Sequence, residues 1–511
     1  MAAGIFLSRV AGLVRQRVLS HYLGLSGSAD AFNAAFRIPN FLQNLFGEGV
    51  LSASFIPAYT RLRAEGRETE ARRLAGAVFG ILALFVAVLV ALGETFAPLL
   101  VRILAPGFSE GTRLLTIRLV RILFPGVGLL VLCAWCLSVL NSHRKFFLSY
   151  AAPVIWNLAI IVATLLPGSG RTQGEIVVWA AWGAVIGSAL QFLIQLPAVL
   201  RLTRGLKISF DAREPYVRGV LTNFFPTFVS RGVSQISAFI DGIIASLLPQ
   251  GSVTALANAQ TLYTLPVSLF GMSIAAAELP ELAQAAVGGV AAHGALRERL
   301  ESAMRRVAFF IVPTVVAFTV LGHVVASLFF QTGRFDSNDA RYVWAILAGA
   351  TVGLLAGTQG RLYTSVFYAL NDTRTPLRFA VYRVGLTTTL GYLAAVKLPL
   401  LLGLAPRWGA VGLTASAGLA GWVEFALLRS SLRQRIGKTS VPYGYLARLW
   451  GPALVAGGTG YLILHLVENR FGPIPRAILV LTPFAIIYLL GTAALQVPLA
   501  RRMIDRPRKR A

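Results

Sequence analysis

The sequence predicts an all-α polytopic membrane protein of about fourteen transmembrane helices, built as two six-helix lobes related by a parallel repeat plus two C-terminal helices. Three observations carry this. Of 511 residues, 56% are apolar and only 13% charged, about half the charged fraction of a soluble domain. The apolar residues fall in repeated runs of about 20, each long enough to cross a hydrocarbon core of about 30 Å. Parts of the first half of the chain also recur in the second at a nearly constant offset. Together these exclude a soluble cytosolic enzyme.

With Gly, Pro and charge clusters read as breaks, the spans run approximately over 4–23, 30–60, 74–103, 114–141, 150–167, 175–200, 217–248, 253–289, 303–330, 341–370, 376–400, 408–428, 446–468 and 475–498. No Pro/Ser-rich linker separates them, so no appended soluble domain is expected. No basic leader precedes the first apolar stretch and Arg9 interrupts it, so a retained first helix is expected rather than a cleaved signal peptide. Alternate loops carry 29 and 9 basic residues. Because cytoplasmic loops hold the Lys/Arg excess, this asymmetry puts both termini in the cytoplasm and supports an even number of spans. The net charge of +26 is therefore mainly topological, and neither a nucleic-acid partner nor a nucleotide is expected.

The repeat fixes the lobes. A shift of 224 places Gly27-Ser28, Ala31, Ala35, Leu45-Phe46-Gly47 and Ala53 on Gly251-Ser252, Ala255, Ala259, Leu269-Phe270-Gly271 and Ala277. Ser8-Arg9 and Ser230-Arg231 precede the two copies. Spans 1 and 7 share an orientation, so the repeat is parallel, about an axis along the membrane normal. The expected division is 1–215 as the N-lobe, 216–435 as the C-lobe and 436–511 as two further helices with a basic tail. Such an architecture belongs to transporters, with substrate between the lobes near mid-membrane.

Along the chain, nine arginines lie inside spans: Arg9, Arg15, Arg17, Arg37, Arg118, Arg121, Arg231, Arg361 and Arg383. At a helix centre each costs about 2.5–3.5 kcal/mol on insertion scales, so several need water, an acid or an anionic ligand; Arg17 and Arg383 are placed to snorkel. Span 1 carries Arg9 and Arg15. In span 2, Asp30, Arg37, Asn44 and Glu48 fall at about 0°, −20°, −40° and 0° on a continuous helix, one polar stripe. Lipid offers that stripe no partner. A planar guanidinium suits phosphate and keeps its charge at working pH, so these residues make a candidate anion site for a head group on a lipid tail. The alternative, that Asp30 and Glu48 only neutralise arginines to lock helices together, stays open. In span 4, Cys133 and Cys136 sit in an apolar run without a neighbouring His or acid and read as core. Span 7 places Ser234 and Asp241 on one face with Ser237 one turn before the acid, a candidate Na⁺ or H⁺ site; pairing of Asp241 with Arg231, or its capping of a helix break, explains it as well. No cofactor is expected, since the five histidines are scattered and no phosphate-binding loop occurs. Asp336 and Asp339 read as solvated loop acids.

The segments SRVAGLVRQ, GSADAFNAAFRIPNFLQNLFGEGVLSASFIPAY and FYALNDTRTPLR resemble the MurJ (MviN) family of lipid II flippases, in the multidrug/oligosaccharidyl-lipid/polysaccharide exporter superfamily. The resemblance covers essentially the whole chain. It implies a protein of the bacterial inner membrane that moves lipid II, the undecaprenyl-pyrophosphate-linked peptidoglycan precursor, to the outer leaflet by alternating access, with membrane lipid as its other partner. It also implies that Arg9, Arg15 and Asp30 line a central cavity, and that Asp241 matches the acid through which some relatives are sodium-linked. Two departures stand out: Gln43-Asn44 replaces an arginine pair, and Gln260-Thr261 followed by Thr264 replaces an Asp-Arg pair followed by an acid. Thr261 is the repeat partner of Arg37, so the second lobe is poorer in charge. A flippase for another polyprenyl-linked saccharide, a drug/cation antiporter and, in a different class, a membrane-bound transferase are the rival readings.

Overall fold

The computed structural model describes residues 2–45, 51–166, 170–211, 214–286, 293–467 and 470–505. Its chain divides into two compact units, 1–254 with 332–335, and 255–331 with 336–511. The first unit holds α1 (Ala2–Leu23), α2 (Gly27–Leu45), α3 (Leu51–Ala64), α4 (Glu68–Thr95), α5 (Ala97–Leu104), α6 (Glu110–Ser142), α7 (Phe146–Leu165), α8 (Gln173–Leu202) and α9 (Pro215–Ser246). The second holds most of α10 (Ser252–Pro266), then α11 (Ser273–Ala286), α12 (His293–Val320), α13 (Gly322–Phe330), α14 (Ser337–Thr351), α15 (Leu354–Ala369), α16 (Arg374–Tyr392), α17 (Leu398–Leu401), α18 (Gly409–Ile436), α19 (Tyr443–Val467), α20 (Pro473–Ala494) and α21 (Pro498–Asp505). Wide π turns at Val267–Met272 and Leu393–Lys397 join α10 to α11 and α16 to α17.

Among the described residues ten helical stretches are long and apolar enough to span a bilayer, eleven when α14 and α15, bent by 44°, count as one. Those outside that set include α1, the α2–α3 pair and α9, which are the polar spans carrying most of the charged candidates. The sum is consistent with fourteen spans. Span 2, expected as one helix over 30–60, is helical on both sides of 46–50, which lie outside the described residues.

The repeat is visible in the backbone. The α4–α5 pair breaks between Thr95 and Ala97 and the α12–α13 pair between Val320 and Gly322, so the same break recurs at a constant interval. The turn after α6 and the turn after α15 are built alike. Arg144 and Asn371 each take φ 58°, and the next amide in each, Lys145 and Asp372, donates to Leu140 O and Phe367 O at 2.9 Å. A left-handed residue that sends the following amide back up the helix satisfies carbonyls that the helix end would orphan. At the second turn Asp372 also accepts from the Thr375 amide at 3.0 Å and from Arg435 at 2.6 Å, tying α15 and α16 to the end of α18. The Thr375 hydrogen bonds and the Arg435 charge hold its carboxyl down at about 2.

Packing within each unit uses large aromatics whose polar atoms find backbone partners, as an interior without water demands. In the first unit Trp135 is fully buried and donates from Nε1 to Ala75 O at 3.2 Å. In the second, Tyr488 of α20 donates to Phe309 O of α12 at 2.6 Å. The bend between α14 and α15 rests on backbone: a Cβ at Gly353 would stand 2.5 Å from Gly418 Cα, so only glycine permits this approach to α18.

Candidate functional site

Arg15 projects from α1 into an aromatic cleft of the first unit. Its guanidinium carbon lies 4.9 Å from the Phe36 ring and 5.5 Å from the Trp156 ring, and these two rings stack on each other at 5.2 Å. Nη1 donates to Asn157 Oδ1 at 2.9 Å, and the Asn157 amide donates to Pro153 O at 2.9 Å. That second bond orients the amide, so its oxygen faces the cation. Trp156 is fixed in turn by its Nε1 bond to Ala184 O at 3.0 Å. Among the described residues no carboxylate reaches ion-pair distance of Arg15, and its buried Nε has no hydrogen-bond partner there. Arg9, six residues earlier and so about 120° around the helix, is exposed. Sequence reasoning missed Asn157 and Trp156; a lone Asn inside the apolar span 150–167 was the available signal.

Asp30 is committed to backbone. One oxygen accepts from the Gly251 amide at 2.6 Å; the other accepts from the Thr254 amide at 2.8 Å and the Thr254 hydroxyl at 2.7 Å. Asn33 adds a bond from Nδ2 to Thr254 Oγ1 at 3.2 Å. The carboxylate therefore caps the first turn of α10, where orphan amides and the helix dipole favour an anion.

Arg37 faces the same side of α2, about two turns further on. It lies within electrostatic reach of Asp30 and, more strongly, Asp241 of α9. Its guanidinium rests on Gly242: an ideal Cβ there would sit 1.0 Å from Nη1. Arg37 is thus one charge within reach of Asp241; Arg231, the partner the sequence offered, has its side chain outside the described residues. A cavity of about 10 Å³, room for one water, is lined by Arg37, Gly242, Phe108 and Phe239. It adjoins an apolar groove of about 500 Å³ lined by Phe41, Leu42, Leu92, Phe96, Leu100 and Phe239. A caged cation, a second cation within electrostatic reach of two acids and an apolar groove in one unit provide for an anionic group on a hydrocarbon tail.

Glu48 and the side chains of Gln43, Asn44, Arg231, Ser234 and Ser237 lie outside the described residues. Cys133 and Cys136 are buried and unpaired with each other. Among the described residues no group of three or more His, Cys, Asp or Glu side chains is placed to hold a metal ion. Asp336 accepts from the Asp339 amide at 2.8 Å and caps α14, a structural use for the loop acid.

Comparison with known proteins agrees with this fold. The family model "Lipid II flippase MurJ" matches residues 19–482. The chain is 32% identical to a probable lipid II flippase MurJ of Rhizobium meliloti over 436 residues, which are 83% of this chain and 78% of that protein. It is 31% identical to the lipid II flippase MurJ of Burkholderia cenocepacia over 463 residues, 88% and 86% of the two chains. Among solved structures, a lipid II flippase MurJ in an inward closed conformation superposes with a TM-score of 0.79 at 25% identity, covering 98% of this chain and 99% of that one. An inward-facing multidrug resistance MATE transporter of the MOP superfamily shares the fold, with a TM-score of 0.68 at 18% identity over 85% of this chain and 96% of that one.

Proposed function

Since the chain belongs to the lipid II flippase MurJ family, we propose that it carries the pyrophosphate-linked head group of lipid II from the inner to the outer leaflet of the bacterial inner membrane by alternating access. It is a transporter and not an enzyme. The observation that best supports this substrate is Arg15, a cation caged by Phe36, Trp156 and Asn157 with no carboxylate at ion-pair distance among the described residues. A caged guanidinium needs an anion, and phosphate oxygens match its donor fork.

In this reading Arg15 is the principal phosphate contact and exposed Arg9 meets the head group on entry. Asp30 serves chiefly as the cap of α10. Arg37 and Asp241, within electrostatic reach of each other, set the charge of the site together, so Na⁺ or H⁺ at Asp241 acts as a modulator. With both termini cytoplasmic, the interior-negative potential drives an anionic head group outward, contributing about 2.3 kcal/mol per charge per 100 mV. Complementation tests the reading: a strain depleted of its own lipid II flippase should grow when given this chain. Lysis despite normal membrane insertion would reject lipid II as substrate.

A further inference from the structure

The second unit contains a second cationic cluster. Helix α15 is surrounded by α11, α12 and α18, with Leu362, Tyr363, Val366 and Phe367 buried. Its one charged residue, Arg361, is exposed. Arg361 lies eight residues before Ala369 and Arg383 nine after Arg374, each about 12–14 Å in from a helix end. That is deeper than a guanidinium stem reaches, so neither snorkels to the nearer surface. Arg383 instead pairs with Glu424 of α18, Nη1 to Oε2 at 3.1 Å.

Tyr263 of α10 stands over the same face. Its hydroxyl would be 3.7 Å from a Cβ at Gly357, one turn before Arg361. Arg361 lies within electrostatic range of the Tyr263 hydroxyl, Arg383 and Glu424. Two guanidinium groups and one carboxylate leave one positive charge in excess, and Glu424 is engaged by Arg383. Thr261, the repeat partner of Arg37, offers no free donor: its hydroxyl bonds to Ala257 O at 2.9 Å, as that of Thr264 does to Gln260 O at 2.7 Å.

We propose that Arg361, with Arg383 oriented by Glu424 and the hydroxyl of Tyr263 beside it, forms an anion subsite within the second unit that takes a phosphate group of the lipid-linked substrate. This subsite supplies the cation that position 261 lacks. An exposed arginine at that depth requires water or an anion opposite it, because hydrocarbon provides neither. Planar guanidinium and phenol donors on one side match tetrahedral phosphate oxygens. The identity of the anion rests on the flippase reading; the existence of the subsite does not.

The test uses the full chain in lipid nanodiscs. Phenylglyoxal modification of arginines is read by mass spectrometry without ligand, with undecaprenyl pyrophosphate and with undecaprenol. Protection of Arg361 by the pyrophosphate lipid alone is expected. Equal protection by both lipids, or by neither, overturns the subsite. Arg361→Gln should weaken undecaprenyl pyrophosphate binding about tenfold, Arg361→Lys should weaken it less, and Arg361→Gln with Thr261→Arg should recover it. Unchanged affinity in Arg361→Gln also overturns the subsite. Wild-type protein that binds the pyrophosphate lipid through Arg361 yet moves no lipid II in sealed vesicles would leave the subsite standing and reject the flippase reading. Normal flipping with an unprotected Arg361 would do the reverse.

Discussion

Asp30→Asn separates two roles for one carboxylate. In the native protein Asp30 accepts from Gly251 N at 2.6 Å, Thr254 N at 2.8 Å and Thr254 Oγ1 at 2.7 Å. An amide keeps one acceptor, which can retain both Thr254 bonds, but turns its NH₂ toward the Gly251 N–H. One charge-assisted bond, about 1.5–3 kcal/mol, is lost and a buried donor is orphaned at about 1–3 kcal/mol. Because both terms describe the same broken contact, the combined loss is about 2–4 kcal/mol. Thr254→Val removes the hydroxyl bond to the same carboxylate, about 1.5–3 kcal/mol, together with the acceptor of Asn33, and Thr254→Ser removes none. The apparent Tm of purified protein in detergent, read by intrinsic fluorescence, should place wild type with Thr254→Ser, and both Thr254→Val and Asp30→Asn several degrees lower. Asp30→Ala should fall below all of these. Wild-type melting of Asp30→Asn combined with lost transport would refute the capping account and return Asp30 to the substrate.

Gly242→Ala should displace the Arg37 guanidinium, since the new methyl would overlap Nη1; an overpacking cost of about 1–3 kcal/mol and reduced transport are expected, and unchanged values in both assays would count against the Arg37–Gly242 contact. Asp241→Asn should shift only the sodium or pH dependence of flipping; complete inactivity of well-inserted protein would make Asp241 essential rather than modulatory. Asp372 is held at about 2, below its usual 3.8, so its contribution to stability is full above about pH 4 and is lost as pH falls toward 2. Melting curves of wild type and Asp372→Asn should accordingly differ at pH 6 and converge near pH 2; a constant difference would contradict the linkage.

Most of the fold was legible because membrane spans announce themselves by length and apolarity, and because the repeat recurs with its helix breaks. The pairing of Asp30 and Arg37 on one face of α2 was legible too, since helical periodicity fixes angular position. What each side chain touches was not. Asp30 and Gly251 are 221 residues apart, and nothing local to either announces that a carboxylate will cap that turn. Trp156 and Phe36 read as ordinary apolar residues until folding stacks them under Arg15. Asp241 offered three explanations in sequence, Arg231, a helix break to cap or a bound ion; Arg37, whose guanidinium rests on Gly242 within electrostatic reach of that acid, was not among them. Arg383 looked like a snorkelling arginine, and its partner Glu424 lies 41 positions away, too far for any local pattern to connect them.

The central claim, that this chain moves lipid II with Arg15 as the phosphate contact, is tested most directly by the leaflet in which lipid II resides. In cells depleted of their own flippase and supplied with this chain, an externally added reagent that modifies only outer-leaflet lipid II should label the precursor. Arg15→Gln should abolish that labelling while protein level and melting temperature hold, because removing a cation without a carboxylate at ion-pair distance strands no buried charge. Labelling undiminished in Arg15→Gln, or absent with the wild-type chain, would contradict the account.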